Sequence, residues 1–161
     1  MFTNSIDYTR SPNWGVISVP IKDIARPRTE LVSADPTASL REICQLMDDR
    51  RVGCVVIESD ERPAGIITDR DIAMEFSGGA TLDDLTADDI MHRDPYTISS
   101  DDGVFDLCAT MAEHGVRRMP VVEGDELAGI VTFDDLVVLL DDELSNLSEV
   151  VRTESPPYEE P

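Results

Sequence analysis

Eight residues return at a fixed distance along the chain. Gly65-Ile66-Ile67-Thr68-Asp69-Arg70-Asp71-Ile72 reappears as Gly129-Ile130-Val131-Thr132-Phe133-Asp134-Asp135-Leu136, at an offset of 129 − 65 = 64. Self-similarity at a fixed period restricts the fold strongly, because both copies are expected to form the same unit. A unit of that length is marginal alone, and 161 residues is the length of one ordinary compact domain, so the two copies are expected to share a core. Two units fall short of the three or more that a stacked array needs, which points to a pair about a pseudo-twofold axis.

In each copy a glycine precedes a short apolar run suited to a buried strand. Thr68 or Thr132 follows, and three positions later Asp71 or Asp135 stands where a helix should begin. Threonine or aspartate at such a junction commonly serves as an N-cap. The same pair also suits a ligand, since a carboxylate can accept two hydrogen bonds from a vicinal diol such as a ribose. Capping needs one such residue, whereas glycine, apolar pair, threonine and second aspartate all recur together, which favours the ligand reading and leaves the capping reading open.

The rest of the chain repeats around these stretches. Leu40, Ile43, Cys44 and Met47 form one apolar helix face, and Val104, Leu107, Cys108 and Met111 form the same face one period later. Val52–Ile57 and Ala64–Ile67 read as a hairpin across the polar turn Ser59–Arg62; Arg117–Val122 and Leu127–Val131 read as its copy. Short extended segments at Glu30–Val32 and Tyr96–Ile98 precede the first helices, Ile21–Ala25 and Ala87–Met91 are short turns or helices, and the register slips by two between Asp35 and Leu40. Helices are expected from about Asp69 to Phe76 and from about Asp134 to Leu147. The expected fold is α+β, two pseudo-twofold-related strand-helix-strand-strand-helix repeats with sheets packed together and helices outside. The expected organisation is an N-terminal extension 1–18 in which Trp14 docks on the body, a first repeat 19–77, a linker 78–85, a second repeat 86–147 and a disordered acidic tail 148–161.

Charge excludes several partners. With 34 acidic against 13 basic residues the net charge is −21, which repels nucleic acid and anionic membranes. No run of about 18 apolar residues and no apolar N-terminal signal segment is present, so a cytoplasmic protein is expected. Such acidity resembles the bias of halophiles, whose molar salt would screen the self-repulsion. Three cysteines do not suggest a disulfide framework. His92 and His114 stand apart and no C-x-x-C pair exists, which argues against a zinc site.

With GIITDRD and GIVTFDD aligned, and Gly115-Val116-Arg117-Arg118-Met119-Pro120 before the second copy, the chain resembles a tandem pair of cystathionine-β-synthase (CBS) domains, a Bateman module, over about Val19 to Leu144. Arg51-Val52-Gly53-Cys54-Val55-Val56 departs from that pattern, lacking both the initial glycine and the proline. The resemblance implies two clefts for AMP, ADP, ATP or S-adenosylmethionine. Asp71 and Asp135 would hold ribose, and Thr68 and Thr132 would lie near ribose or phosphate. Adenine would rest near Val52, Gly53 and Cys54 or Val116, with the adjoining strand residues Ile66 and Ile130, and Ala25 and Met91 would touch the ligand from the segments leading into each repeat. Arg117 and Arg118 match positions that often meet phosphates, so the Asp135 cleft is expected to prefer the phosphorylated nucleotide.

The implied activity is regulatory binding, with no catalytic residue and no metal. The stretch Ile66 to Asp71 also resembles the Asp-x-Asp start of haloacid-dehalogenase-type phosphatases, but it lies mid-chain and Phe133 occupies the nucleophile position in the second copy. The implied partners are an adenosine-containing small molecule, a second copy in a homodimer through Leu136, Leu139, Leu140 and Leu144, and an effector protein that the sequence does not name. The rival is a homodimeric interaction module with vestigial clefts, weighed against by Asp71 and Asp135, which such a module would have no reason to keep.

Overall fold

The computed structural model describes residues 19–154 apart from 80 and 83. The expectations for Trp14 and for residues 155–161 lie outside the described residues. Two repeats, each a helix, a hairpin and a second helix, build the body. The first holds α1 (Leu40–Arg50), β3 (Cys54–Ser59), β4 (Arg62–Thr68) and α2 (Asp69–Ser77). The second holds α4 (Val104–His114), β7 (Arg118–Glu123), β8 (Glu126–Thr132) and α5 (Phe133–Glu154). Short strands β2 (Ser33–Ala34) and β6 (Ile98–Ser99) run parallel to the first strand of each hairpin.

The segments leading into the repeats cross over. Strand β1 (Arg26–Pro27) precedes the first repeat but pairs with β8 of the second, Arg26 opposite Ile130 and Pro27 opposite Gly129. Strand β5 (His92–Arg93), which follows the short helix α3 (Ala87–Ile90), pairs with β4 of the first repeat, Gly65 opposite Arg93 and Ile66 opposite His92. The result is two four-stranded sheets, β1-β8-β7-β6 and β2-β3-β4-β5, with each hairpin at the centre. Each sheet is thus completed by chain from the other repeat.

Packing follows the same exchange. Ile21, fully buried, joins Ile98, Leu107, Met119 and Leu136 in the core of the second repeat. Ala87, also fully buried, joins Leu40, Ile43, Val55 and Ile67 in the core of the first. Strand alternation sends Val55 and Ile57 toward the helices and Val56 to the opposite face, where it meets Leu127 and Ile130 between the sheets. Both faces of each hairpin are therefore buried, which is why β3 reads as a continuous apolar run rather than an alternating one.

The last helix differs from expectation at two points. It continues through Glu154, past the Leu147 end expected and into the stretch expected to be a disordered tail. Apolar residues at Leu144, Leu147 and Val151 keep the helical spacing that Leu140 begins, so the pattern does not stop where the acidic composition sets in. Leu136 is not available to a partner, being 4% exposed in the core of the second repeat. No helix among the described residues is long and apolar enough to cross a membrane.

Candidate ligand-binding clefts

Both repeated Thr/Asp pairs form closed rings at a helix start. Thr68 N–H and Oγ1–H donate to Asp71 Oδ2 at 2.8 and 2.6 Å, and Asp71 N–H donates back to Thr68 Oγ1 at 3.4 Å. Thr132 and Asp135 repeat this at 2.8, 2.7 and 3.3 Å. These are capping boxes, which satisfy backbone donors that the first turn of a helix leaves open. One inference from the sequence is thereby corrected: a chain with vestigial clefts does have a physical reason to keep Asp71 and Asp135.

The boxes consume one carboxylate oxygen each. The other, Oδ1, meets a basic side chain from the crossed-over strand: His92 Nε2–H donates to Asp71 Oδ1 at 3.0 Å, and Arg26 lies 3.6 Å from Asp135 Oδ1. Burial raises the Asp71 pKa, but the Thr68 hydroxyl and amide and the His92 ring more than offset it, so the net value lies below the ordinary 3.8. Asp71 and Asp135 thus join helix start to crossing strand.

Each cleft is walled by both repeats. One concavity, of about 200 Å³, brings Thr132 and Ile130 of the second repeat against Val52, Gly53 and Cys54 of the first, with Arg26, Arg51 and Arg118 around it. The other, of about 520 Å³, brings Thr68 and Ile66 of the first against Val116, Arg117 and Arg118 of the second, with His92 and Tyr96 on its rim. The second lies within the roughly 300–1,000 Å³ common for small-molecule sites and the first falls below it. Burial pushes the Cys54 thiol pKa up, with Arg118 and Arg26 opposing, so this cysteine stays a neutral wall.

The expected placements of six residues change. Asp71 and Asp135 line neither concavity, although their hydrogen-bond partners Thr68 and Thr132 do. Arg117 lines the Thr68 concavity rather than serving the Asp135 side, its guanidinium 3.4 Å from Asp134 and 5.5 Å from the centre of the Phe133 ring. Arg118 lines both concavities. Ala25 and Met91 line neither: Ala25 packs against the second core and Met91 lies over Gly65. Their successors Arg26 and His92 are the lining residues, 92 − 26 = 66 apart, which is the repeat period plus the slip of two before Leu40. The expected pair Ala25 and Met91 has the same offset of 66, so the repeat spacing is right and the strand position is off by one residue.

The comparisons with known proteins agree with this architecture. The family model described as CBS domain matches residues 21–78 and 87–142. The chain belongs to the CBS-domain family. An uncharacterized protein of Methanopyrus kandleri is 34% identical over 143 residues, covering 82% of this chain and 71% of its own length. A CBS domain protein from Pyrobaculum aerophilum, solved as a complex with AMP, is 28% identical with a TM-score of 0.67, covering 76% of this chain and 97% of that one. A CBS domain pair solved with 5′-methylthioadenosine and S-adenosyl-L-methionine shares the fold at a TM-score of 0.70 and 24% identity, covering 78% of this chain and 98% of that one.

Proposed function

We propose that this CBS pair is a regulatory module that binds an adenosine-containing ligand, AMP, ADP, ATP or S-adenosylmethionine, and conveys occupancy to an effector protein. The observation that carries this reading is the cross-repeat construction of the clefts, with the Thr/Asp junction of one repeat facing the hairpin start of the other. A ligand there touches both repeats, so it binds different arrangements of the two unequally and shifts their population. The AMP complex of the Pyrobaculum aerophilum relative supports the ligand class. The capping boxes favour a second reading, an interaction module with vestigial clefts, because they give the aspartates a purely structural use.

Thermal unfolding with saturating AMP, ATP or S-adenosylmethionine separates the two. A ligand at about 100 times its Kd adds roughly 2.7 kcal/mol, which raises the midpoint by about 5–10 °C for a chain of this size. Asp135→Asn keeps an oxygen for the Thr132 hydroxyl while removing the charge; with a ribose taking Oδ1 in place of Arg26, 3.6 Å away in the free chain, it is expected to weaken binding at least tenfold. No shift with any of the three ligands, or full affinity in Asp135→Asn, favours the second reading or removes Asp135 from the site, respectively.

A further inference from the structure

Arg51 occupies a backbone conformation that its counterpart gives to glycine. It is the C-cap of α1 at φ 54° and ψ 45°; one repeat period further on, Gly115 caps α4 at φ 66° and ψ 28°. L side chains rarely adopt this left-handed region, and glycine enters it without cost. Asp60, at φ 50°, stands one period from Gly124, at φ 62°, in the same way, so the backbone alone does not mark Arg51; its place at a concavity does.

Arg51 and Arg118 both line the Thr132 concavity. Lys22, Arg26, Arg28, Arg62, Arg93, Arg117 and Arg152 each have a carboxylate within 4.0 Å, as expected where acidic residues outnumber basic ones 34 to 13. Among the described residues, Arg51 and Arg118 have no such partner, although Glu30 and Asp134 line the same concavity. Arg50 and Arg70 also lack one, but they line neither concavity. Gly53 leaves room for the Arg118 side chain, since a Cβ there would lie 3.3 Å from its guanidinium and 3.4 Å from Asp69 Oδ2. Two arginines without a carboxylate partner at one concavity, in so acidic a chain, can seat an external anion, and their planar forks match phosphate oxygens.

We propose that Arg51 is a phosphate-binding, specificity-determining residue of the Thr132 concavity, acting with Arg118 to select phosphorylated adenosine ligands over cationic S-adenosylmethionine or neutral 5′-methylthioadenosine. The assignment rests on the adenosine reading above for the nucleoside, and on the arginine pair alone for the phosphate. A volume of about 200 Å³ accommodates a phosphate group. The structural alternative is that Arg51, with Arg50 before it, merely complements the negative end of α1.

Arg51→Gly distinguishes these uses because glycine suits the backbone. Titrations with ATP, adenosine and inorganic tripolyphosphate, together with the ligand-free unfolding midpoint, are compared for wild type, Arg51→Gly and the charge control Arg50→Gln. The expected result is a midpoint equal to or above wild type, ATP affinity reduced at least tenfold, tripolyphosphate binding lost, and adenosine affinity within twofold of wild type. Arg50→Gln keeps ATP affinity within twofold. A lowered midpoint with unchanged ATP affinity establishes the helix-end role and overturns the proposal, as does equal loss in Arg50→Gln. If tripolyphosphate binds in an Arg51-dependent way while no adenosine ligand binds, the phosphate site stands and the nucleoside reading falls. If adenosine ligands bind and Arg51→Gly changes none of them, the arginine assignment falls and the nucleoside reading stands.

Discussion

The two glycines that open the repeated motif have the same spatial use but different neighbours. Strand β1 crosses directly over Gly129, so a Cβ there would fall on the Arg26 carbonyl oxygen and lie 3.5 Å from Pro27 Cα. At Gly65 the same Cβ would meet the Met91 side chain, with its Sδ at 2.5 Å. A methionine side chain has three rotatable bonds and yields, whereas a paired backbone does not. Gly129→Ala is therefore expected to destabilise by about 1–3 kcal/mol, the usual range for overpacking, and Gly65→Ala by less. Urea unfolding of the two variants checks this; equal losses would mean that β1 is free to move. The sequence shows both glycines as equivalent, and the asymmetry appears once the overlying atoms are known. Arg51 carries the opposite lesson, because its departure from the glycine pattern was legible in the sequence although its side-chain position was not.

At the scale of elements, what had a period was legible and what had none was not. Helices α1 and α4 and both hairpins fall close to expectation, since apolar faces at helical spacing and β-branched runs identify them. Strands β1 and β5 are only a dipeptide each and carry no pattern of their own; pairing with the opposite repeat creates them. That exchange brings Arg26 and His92 to the carboxylates and to the concavities, where Ala25 and Met91 had been expected to touch the ligand. The junction at the start of α2 has a testable pH signature. Its Asp71 is held below the ordinary 3.8, so the carboxylate contributes stability that is full above that value and is lost as pH falls through the lowered one. Asp71→Asn removes the titration and is expected to cost roughly 0.3–1 kcal/mol near neutral pH, from the lost charge at a helix N-terminus. Unfolding midpoints of variant and wild type should converge as pH drops below 3.8. A gap that stays constant into acid would show that Asp71 contributes through shape alone.

For the whole molecule, the outer half of α5 poses the open question of assembly. Every residue from Asp141 to Thr153 is exposed, and so short a helical stretch is marginal without tertiary contacts. Phe133, Val137, Leu140, Leu144, Leu147 and Val151 recur at alternating steps of four and three, each 46–63% exposed, which is the spacing of a coiled-coil seam. Val137 and Val151 fall at the positions where β-branched residues favour two parallel strands, with Leu140 and Leu147 at the alternate ones. In a parallel pair Glu143 would flank Ser148 of the second copy, so no like charges oppose directly there. A second copy of this chain would fit these positions, with the net charge of −21 acting against it. Salt shortens the Debye length from about 10 Å at 0.1 M to about 3 Å at 1 M, so association should strengthen as KCl rises. Light scattering is expected to give twice 17.8 kDa in 1 M KCl, and the Leu144→Asp, Leu147→Asp double variant to give the single mass while keeping wild-type ligand affinity. A wild type that remains a monomer at all salt concentrations would leave the stripe to a different protein, and its acidic flanks would then call for a basic amphipathic helix.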